Sequence, residues 1–223
     1  VKPWTAFPIK GVIWYQGEAN VGRSEQYGDL FPALITDWRR QWRSDFPFYF
    51  VQLANFMESK KIQPDSEWAA LREAQTKALK LDQVGMAVTI DIGLADDIHP
   101  KNKQEVGRRL ALVALAGSYG KNVSSSAPVF QNYIIKGNKM ELDFGQKQDG
   151  FQIKGTTLKG FTIAGPDRVF YPAEAMVHDG KIILSSTEVP APLAARYGWA
   201  DNPDCNLYGE NGLPVAPFRT DCW

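Results

Sequence analysis

The sequence predicts an α/β chain whose second half changes to antiparallel β structure. Up to about residue 118, strand-like apolar runs alternate with amphipathic helical stretches, a pattern typical of a parallel sheet with right-handed crossovers. After about residue 120, the apolar runs become short and are broken by Gly, Asn and Asp. These two patterns predict an α/β part at 1–120, a β-sandwich region at 121–190 and an irregular tail at 191–223.

The first half contains three predicted strands and three predicted helices. Each strand run is rich in β-branched or aromatic residues, as expected for a buried parallel strand. Ser66 is a candidate N-cap for the second helix. In the first helix, an apolar stripe at four-residue spacing consists of Leu30, Leu34, Trp38 and Trp42. The predicted strands are 11–16, 47–53 and 84–91, and the predicted helices are 26–43, 67–82 and 103–115.

The second half carries one strong turn signal and both cysteines of the chain. Asp179-Gly180 lies between two apolar runs and predicts a hairpin. Cys205 and Cys222 favour a disulfide that closes a loop of about 17 residues, with two free thiols as the alternative. A bridge would indicate an exported protein in an extracellular, periplasmic or lysosomal compartment.

Composition excludes some classes of partner. The 223 residues include 25 basic and 25 acidic side chains, so no basic face is required and nucleic acid is not an expected partner. The apolar runs are too short to predict a membrane span. The chain starts without Met and runs directly into a predicted strand, which is typical of an internally cut polypeptide and equally of a chain shortened at its start.

A first polar block, Gln16-Gly17-Glu18-Ala19-Asn20, follows the first predicted strand. In an open parallel sheet, ligands bind beyond the carboxyl ends of the strands. The amide of Gln16 is suited to donate a hydrogen bond to a developing oxyanion, and Gly17 permits a close approach of backbone to substrate. Glu18 and Asn20 are expected to hold this loop, or alternatively to cap the next helix.

A second polar block, "DIGLADDIHPKN", follows the third predicted strand. Its Asp96 precedes His99 by three residues, a spacing that lets a carboxylate orient an imidazole that acts as a general base. Pro100 restricts the backbone of His99 and suits the first turn of the following helix. The alternative is that Asp96 and Asp97 only cap that helix, whereas the second histidine, His178, lies in the predicted hairpin and is expected at the surface.

Three stretches, "GVIWYQGEAN", "DIGLADDIHPKNKQEVGRRLA" and "GWADNPDCNLYGENGLPVAPFRTD", together give the chain a resemblance to the sialate O-acetylesterase family, serine esterases of the SGNH hydrolase superfamily. The resemblance covers nearly the whole chain. It implies part of a flavodoxin-like three-layer α/β/α SGNH hydrolase domain, followed by β-sandwich material. It also implies an O-acetylated sugar substrate, sialic acid or a related sugar, with no metal and no cofactor. By this resemblance His99 is the general base, Asp96 its orienting partner and Gln16 an oxyanion donor, and Glu18 belongs to the same motif.

The sequence departs from the family at the nucleophile. The family carries its catalytic serine on a Gly-Gln-Ser-Asn type of turn before the first strand found here, and this sequence has no such turn. Ser24 is the serine nearest to the polar block in sequence, but its context differs. The resemblance therefore implies that an N-terminal fragment or second chain supplies the serine. Two other functions remain open, a non-catalytic carbohydrate-binding module and a lipase or other acyl hydrolase on the same scaffold.

Overall fold

A three-stranded parallel sheet forms the centre of the first half of the chain. In the computed structural model, which describes residues 1–145 and 150–223, its strands are β1 (Val12–Trp14), β2 (Phe48–Val51) and β3 (Val84–Ala87). They pair in the order β1-β2-β3, and all pairings are parallel. The three strands predicted from the sequence are confirmed, with shorter bounds.

Three helices connect and follow these strands: α1 (Ser24–Trp42), α2 (Glu67–Thr76) and α3 (Lys103–Gly117). The predicted cap of α2 is confirmed, because the Ser66 hydroxyl oxygen accepts a 3.0 Å hydrogen bond from the backbone N–H of Ala69. Short 3₁₀ turns occupy Lys2–Trp4, Glu18–Asn20 and Lys77–Lys80.

The predicted apolar stripe of α1 is wrong at Leu30, which is 56% exposed. The buried face of the helix is centred on Tyr27, Phe31 and Ile35 instead. A strict four-residue spacing drifts around a helix of 3.6 residues per turn, so one end of such a stripe leaves the core.

Helices cover both faces of the parallel sheet. Along β2, Phe48 and Phe50 pack in the cluster formed with α1 and α2, whereas Tyr49 and Val51 pack in the cluster formed with α3. This alternation follows from the two-residue period of a strand. Because both faces are covered by helices, the loops at the carboxyl ends of the strands are where a ligand can reach the sheet.

The second half of the described chain is antiparallel β structure, as predicted. Two four-stranded sheets pack around one apolar cluster, to which Met140 and Leu142 contribute from one sheet and Ile163 and Tyr197 from the other. The predicted hairpin is confirmed, and its turn residues Asp179 and Gly180 both have positive φ, of 47° and 72°. The strands are β4 (Asn132–Lys136), β5 (Lys139–Asp143), β6 (Phe151–Ile153), β7 (Phe161–Ala164), β8 (Phe170–Pro172), β9 (Glu174–His178), β10 (Lys181–Ser185), β11 (Ala194–Tyr197), β12 (Leu207–Gly209) and β13 (Phe218–Arg219). The sheets have the orders β4-β5-β10-β9 and β13-β11-β7-β8, with β12 and β6 paired separately.

The expectation of an irregular tail at 191–223 needs a correction, because the segment contains three short strands between its irregular stretches. This C-terminal segment contributes β11, β12 and β13, and every residue of β11 is buried beside β7. The Pro, Asn and Gly residues that suggested irregular structure separate short strands from one another. The segment is therefore part of the core of the second half.

The expected disulfide is also wrong, because Cys205 and Cys222 are both free. Cys222 is exposed, whereas the sulfur of Cys205 is surrounded by protein although part of the residue reaches solvent. Burial, which is the largest influence, raises the pKa of the Cys205 thiol to about 12. Among the described residues, no helix has the length and apolar character needed to cross a lipid bilayer.

Candidate active site

The two polar blocks meet at the carboxyl edge of the parallel sheet. A cavity of about 370 Å³ is lined by Gln16 and Glu18 from the first block and by His99 from the second. Three larger cavities, of about 480, 510 and 410 Å³, lie elsewhere among the described residues, so size alone does not identify the site. We select the smaller cavity because it combines an imidazole with an amide donor at the edge of the sheet where ligands bind. The remaining residues that line it are Tyr15, Ala19, Ile98, Pro100 and Lys103.

The side-chain amide of Gln16 is held at both of its ends. Its Nε2 donates a 2.6 Å hydrogen bond to Oδ1 of Asn20, and its Oε1 accepts a 3.2 Å hydrogen bond from the hydroxyl of Tyr27. In this arrangement Asn20 presents its acceptor oxygen and Tyr27 its hydroxyl hydrogen to the two ends of the amide. An amide nitrogen carries two hydrogens, so one N–H of Gln16 remains to donate to a ligand.

Gly17 has a packing role in the structure. It is buried, it does not line the cavity, and its φ is 152°. A Cβ at this position would lie 3.2 Å from Nε2 of Gln75 and 3.5 Å from the side chain of Leu53. The glycine therefore allows the backbone to approach α2 and the end of β2, and its approach to a substrate stays a prediction.

Gln75, which the sequence analysis missed, ties the ends of two strands together. Its fully buried amide donates to the backbone carbonyls of Gln16 at 3.2 Å and Val51 at 3.3 Å. Its Oε1 accepts a 2.9 Å hydrogen bond from the backbone N–H of Leu53. The only sequence signal was a glutamine on the buried face of an amphipathic helix.

The capping alternative for Glu18 and Asn20 is wrong. Arg23 occupies the N-cap position of α1, and its side chain forms no capping hydrogen bond. Glu18 and Asn20 instead begin and end a 3₁₀ turn, in which Asn20 holds Gln16 and Glu18 lines the cavity. The prediction that Asn20 holds the loop is therefore confirmed.

The structure places Asp97, not Asp96, beside the imidazole of His99. The His99 side chain is 86% exposed, and its Nδ1 lies 3.7 Å from Oδ1 of Asp97, which is longer than a hydrogen bond. The same Asp97 oxygen accepts a 2.9 Å hydrogen bond from the backbone N–H of His99, and this turn keeps the carboxylate near the ring. Asp96 is exposed, and among the described residues it forms no hydrogen bond or ion pair with His99. The predicted Asp96–His99 contact is thus absent from this conformation.

Neither aspartate caps the helix that follows. Asn102 occupies that position, and its Oδ1 accepts a 3.1 Å hydrogen bond from the backbone N–H of Glu105. Since α3 begins at Lys103, Pro100 lies before the helix and not in its first turn, contrary to the prediction.

Lys103 and Tyr15 also line the cavity, and no pattern in the sequence indicates either residue. The ammonium group of Lys103 lies 4.8 Å from the centroid of the Tyr15 ring. Burial and, secondarily, the charge of Glu18 raise the pKa of the Tyr15 phenol to about 12. Tyr15 therefore stays neutral near pH 7 and supplies an aromatic wall. No group of three or more His, Cys, Asp or Glu side chains suited to hold a metal occurs in the parts of the chain that the structure describes.

Comparison with known proteins extends over almost the entire chain. The chain is 31% identical to the sialate O-acetylesterase of Mus musculus and 31% identical to that of Homo sapiens, over 98% of its own length in both cases. It covers 45% and 47% of those two proteins, so the chain spans about half the length of the curated relatives it matches. Among solved structures, a carbohydrate acetylesterase from Xanthomonas citri superimposes with a TM-score of 0.94 at 46% identity, over 99% of this chain and 52% of that one.

The family profile described as "carbohydrate esterase, sialic acid-specific acetylesterase" matches residues 2–116. This range contains all three strands of the parallel sheet and both polar blocks that line the cavity. The chain belongs to the carbohydrate esterase family of sialic acid-specific acetylesterases.

Proposed function

We propose that this chain is part of a serine esterase that removes O-acetyl groups from sialic acid or related acetylated sugars. In this proposal His99 is the general base, Asp96 orients it, and Gln16 donates a hydrogen bond to the oxyanion. The nucleophilic serine comes from a preceding segment of the polypeptide or from a second chain. The parallel sheet with helices on both faces would then be part of a three-layer SGNH hydrolase domain.

The observation that carries the proposal is the cavity that Gln16 and His99 line together. The two residues come from different loops of the sheet, and a substrate in this cavity can touch both. An imidazole and an amide donor facing one carbonyl group are what acyl transfer requires of a serine esterase. The family match and the similarity to a carbohydrate acetylesterase structure support the same reaction class.

The proposed reaction has two stages. A serine hydroxyl oxygen attacks the acetyl carbonyl carbon, its proton passes to His99, and the carbonyl oxygen becomes an oxyanion that the remaining Gln16 N–H stabilises. The bond between the acetyl carbon and the sugar oxygen then breaks, and His99 returns the proton to that oxygen. In the second stage His99 takes a proton from water, whose oxygen attacks the acetyl carbon of the acetyl-enzyme. The bond between that carbon and the serine oxygen then breaks, and His99 returns the proton to the serine oxygen, which releases acetate and restores the enzyme.

The position of β1 supports a contribution from outside the described chain. β1 pairs with β2 and forms one edge of the three-stranded sheet, and its Ile13 is 70% exposed. A strand edge with an exposed apolar side chain is suited to pair with a further strand. We therefore expect residues 1–223 expressed alone to be inactive on a chromogenic acetate. A soluble, active product would place the nucleophile within this chain, with Ser24 the first residue to test.

The two other functions find less support. A lipase needs a broad apolar cleft, whereas four of the eight residues that line this small cavity are polar or charged: Gln16, Glu18, His99 and Lys103. A binding module has no use for an exposed histidine beside an oriented amide donor.

The test is an assay of the catalytically complete enzyme on O-acetylated sialic acid, with acetate release as the readout. We expect His99→Ala to abolish nearly all turnover while the melting temperature stays unchanged. His178→Ala is the matched control, because His178 is the other histidine of the chain and lies exposed in β9. Wild-type rates in the His99 variant would overturn the proposal.

A further inference from the structure

We infer that the C-terminal segment, residues 191–223, positions the loop that carries His99. The second half of the chain would then contribute to the geometry of the active site. This loop, residues 88–102, runs from the end of β3 to the start of α3 and is called the histidine loop below. Two separate hydrogen-bonded routes connect the segment to the loop. The inference rests on the proposed role of His99 and adds to it a role for residues far from the cavity.

The first route is a chain of two amides. Oδ1 of Asn202 accepts a 2.7 Å hydrogen bond from Nδ2 of Asn55, and Oδ1 of Asn55 accepts a 2.7 Å hydrogen bond from the backbone N–H of Gly93. Asn55 lies just after β2, so the loop after β2 stands between the C-terminal segment and the histidine loop. The two loops also meet at a parallel β-bridge between Phe56 and Leu94.

The orientation of both amides in this route is determined by their partners. Gly93 presents a backbone donor, so Asn55 must turn its oxygen to Gly93 and its nitrogen to Asn202. Nδ2 of Asn202 donates a 2.7 Å hydrogen bond to the carbonyl oxygen of Met57, which leaves its oxygen for Asn55. A single arrangement therefore satisfies all the groups, and it defines the distance between segment and loop.

Gly93 makes this close approach possible. A Cβ at Gly93 would lie 1.9 Å from the backbone oxygen of Asn55, well inside van der Waals contact. Any side chain at this position would force the histidine loop away from the loop after β2. The position of Gly93 is thus set by packing as well as by its hydrogen bond.

The second route passes through a buried ion pair. The hydroxyl of Tyr208 on β12 donates a 3.2 Å hydrogen bond to Oδ2 of Asp91, near the start of the histidine loop. Arg109 on α3 donates to both carboxylate oxygens of Asp91, at 2.6 and 3.0 Å, and to the carbonyl oxygen of Val88 at 2.7 Å. Because α3 follows the histidine loop, Arg109 joins the two ends of that loop. The hydrogen bond from Tyr208 then attaches these ends to β12.

The C-terminal segment is itself held rigidly where the first route begins. The guanidinium of Arg72, on α2, is fully buried and donates 2.8 Å hydrogen bonds to the carbonyls of Ala200 and Asp201. It also donates at 2.8 Å to the carbonyls of Leu53 and Ala54, at the end of β2. These four hydrogen bonds limit the movement of the C-terminal segment at the residues where the first route begins.

The experiment compares Asn202→Ala and Tyr208→Phe in the catalytically complete enzyme. Each variant breaks one route without touching the cavity. We expect kcat for a small acetyl ester to fall about 10- to 100-fold, as for an active group displaced by about 1 Å. The KM should stay within about twofold of wild type, because the residues that line the cavity are unchanged.

Matched controls come from the same half of the chain. Asn211→Ala removes the hydrogen bonds from Asn211 to Ser124 and Ser126 and the one that its Oδ1 accepts from the backbone N–H of Leu213, but it removes no hydrogen bond of either route. Tyr171→Phe changes a tyrosine of β8 in the sandwich. Both controls should retain wild-type kcat.

A second measurement separates positioning from general destabilisation and does not depend on activity. This chain has two histidines, His99 and His178, and their imidazole NMR signals are assigned by the signals that His99→Ala and His178→Ala remove. We expect Asn202→Ala and Tyr208→Phe to shift the His99 signals and leave those of His178 in place. Unmoved His99 signals, or a fall in kcat that the two control variants share, would overturn the inference. An enzyme without any acetylesterase activity would instead refute the proposed function, and the NMR comparison would still decide whether the segment positions the loop.

Discussion

Gln16 and Asn20 are joined by a 2.6 Å hydrogen bond in which Nε2 of Gln16 donates to Oδ1 of Asn20. The bond crosses one 3₁₀ turn, so the glutamine that faces the cavity is positioned by the loop that carries it. A group that stabilises an oxyanion must be held in place before the reaction begins.

Removal of the Gln16 amide should therefore slow the reaction more than removal of its support. We expect Gln16→Ala to lower kcat by about 10²-fold or more, the usual cost of one oxyanion donor. Asn20→Ala should lower kcat by about tenfold, because Gln16 keeps its bond from Tyr27 but loses the fixed acceptor. The measurement is steady-state turnover of an aryl acetate by the complete enzyme. Gln26→Ala, an exposed glutamine on α1, is the control, and equal kcat values for Gln16→Ala and this control would contradict the role of Gln16.

The two neighbouring aspartates are predicted to differ in importance. In the proposed mechanism Asp96 orients His99 once substrate is bound, since catalytic hydrogen bonds are often loose in a ligand-free enzyme. Asp97 then serves the turn through its 2.9 Å bond with the backbone of His99. We expect Asp96→Asn to lower kcat by on the order of 10²-fold or more, and Asp97→Asn by about tenfold or less. The reverse order, measured with each variant as stably folded as the wild type, would assign the orienting role to Asp97.

The main elements of the fold were predictable because their signals are local. The three parallel strands are continuous apolar runs, and Ser66 stands directly before its helix, so a short window of sequence contains the evidence. The polar blocks of Gln16 and His99 were also predictable, since each follows such a strand.

Other features depend on contacts between distant parts of the chain, which no local pattern contains. Gln75 and Asn202 look like ordinary polar residues until the structure places them against strand ends and loops. The disulfide was expected from the spacing of Cys205 and Cys222, but their environments differ and the thiols stay apart. The tail looked irregular because its strands are short and find their partners far away in the sequence.

The two thiols should differ in reactivity. Burial raises the pKa of Cys205 to about 12, so at pH 8 almost none of it is thiolate, the form that reacts with disulfide reagents. Cys222 is exposed and reacts freely. We expect one thiol per chain to react with a chromogenic disulfide reagent under native conditions and two in denaturant. Cys222→Ser should reduce the native count to zero, whereas a native count of zero in the unmodified chain would point to a bridge.

Lys103 is predicted to select for negatively charged sugars. Its ammonium group lies over the Tyr15 ring at the wall of the cavity, and Lys103 takes part in none of the ion pairs found among the described residues. An unpaired cation beside His99 is suited to bind a substrate carboxylate, whereas a neutral acetylated sugar gains nothing from it. We expect Lys103→Met to lower kcat/KM for O-acetylated sialic acid by about tenfold, the effect of one charged hydrogen bond at a partly exposed site.

The comparison that tests this selectivity uses a neutral substrate and two further variants. On a neutral acetylated sugar, Lys103→Met should keep kcat/KM within about twofold of wild type, because the hydrogen bonds of Gln16 and the position of His99 do not depend on the lysine. Lys103→Arg should retain most of the preference for the acidic sugar, since the positive charge remains. Lys80→Met, which removes an exposed charge on the 3₁₀ turn after α2, should change neither value. An equal loss of kcat/KM on acidic and neutral sugars would show that Lys103 supports the structure of the cavity and does not recognise the charge of the substrate.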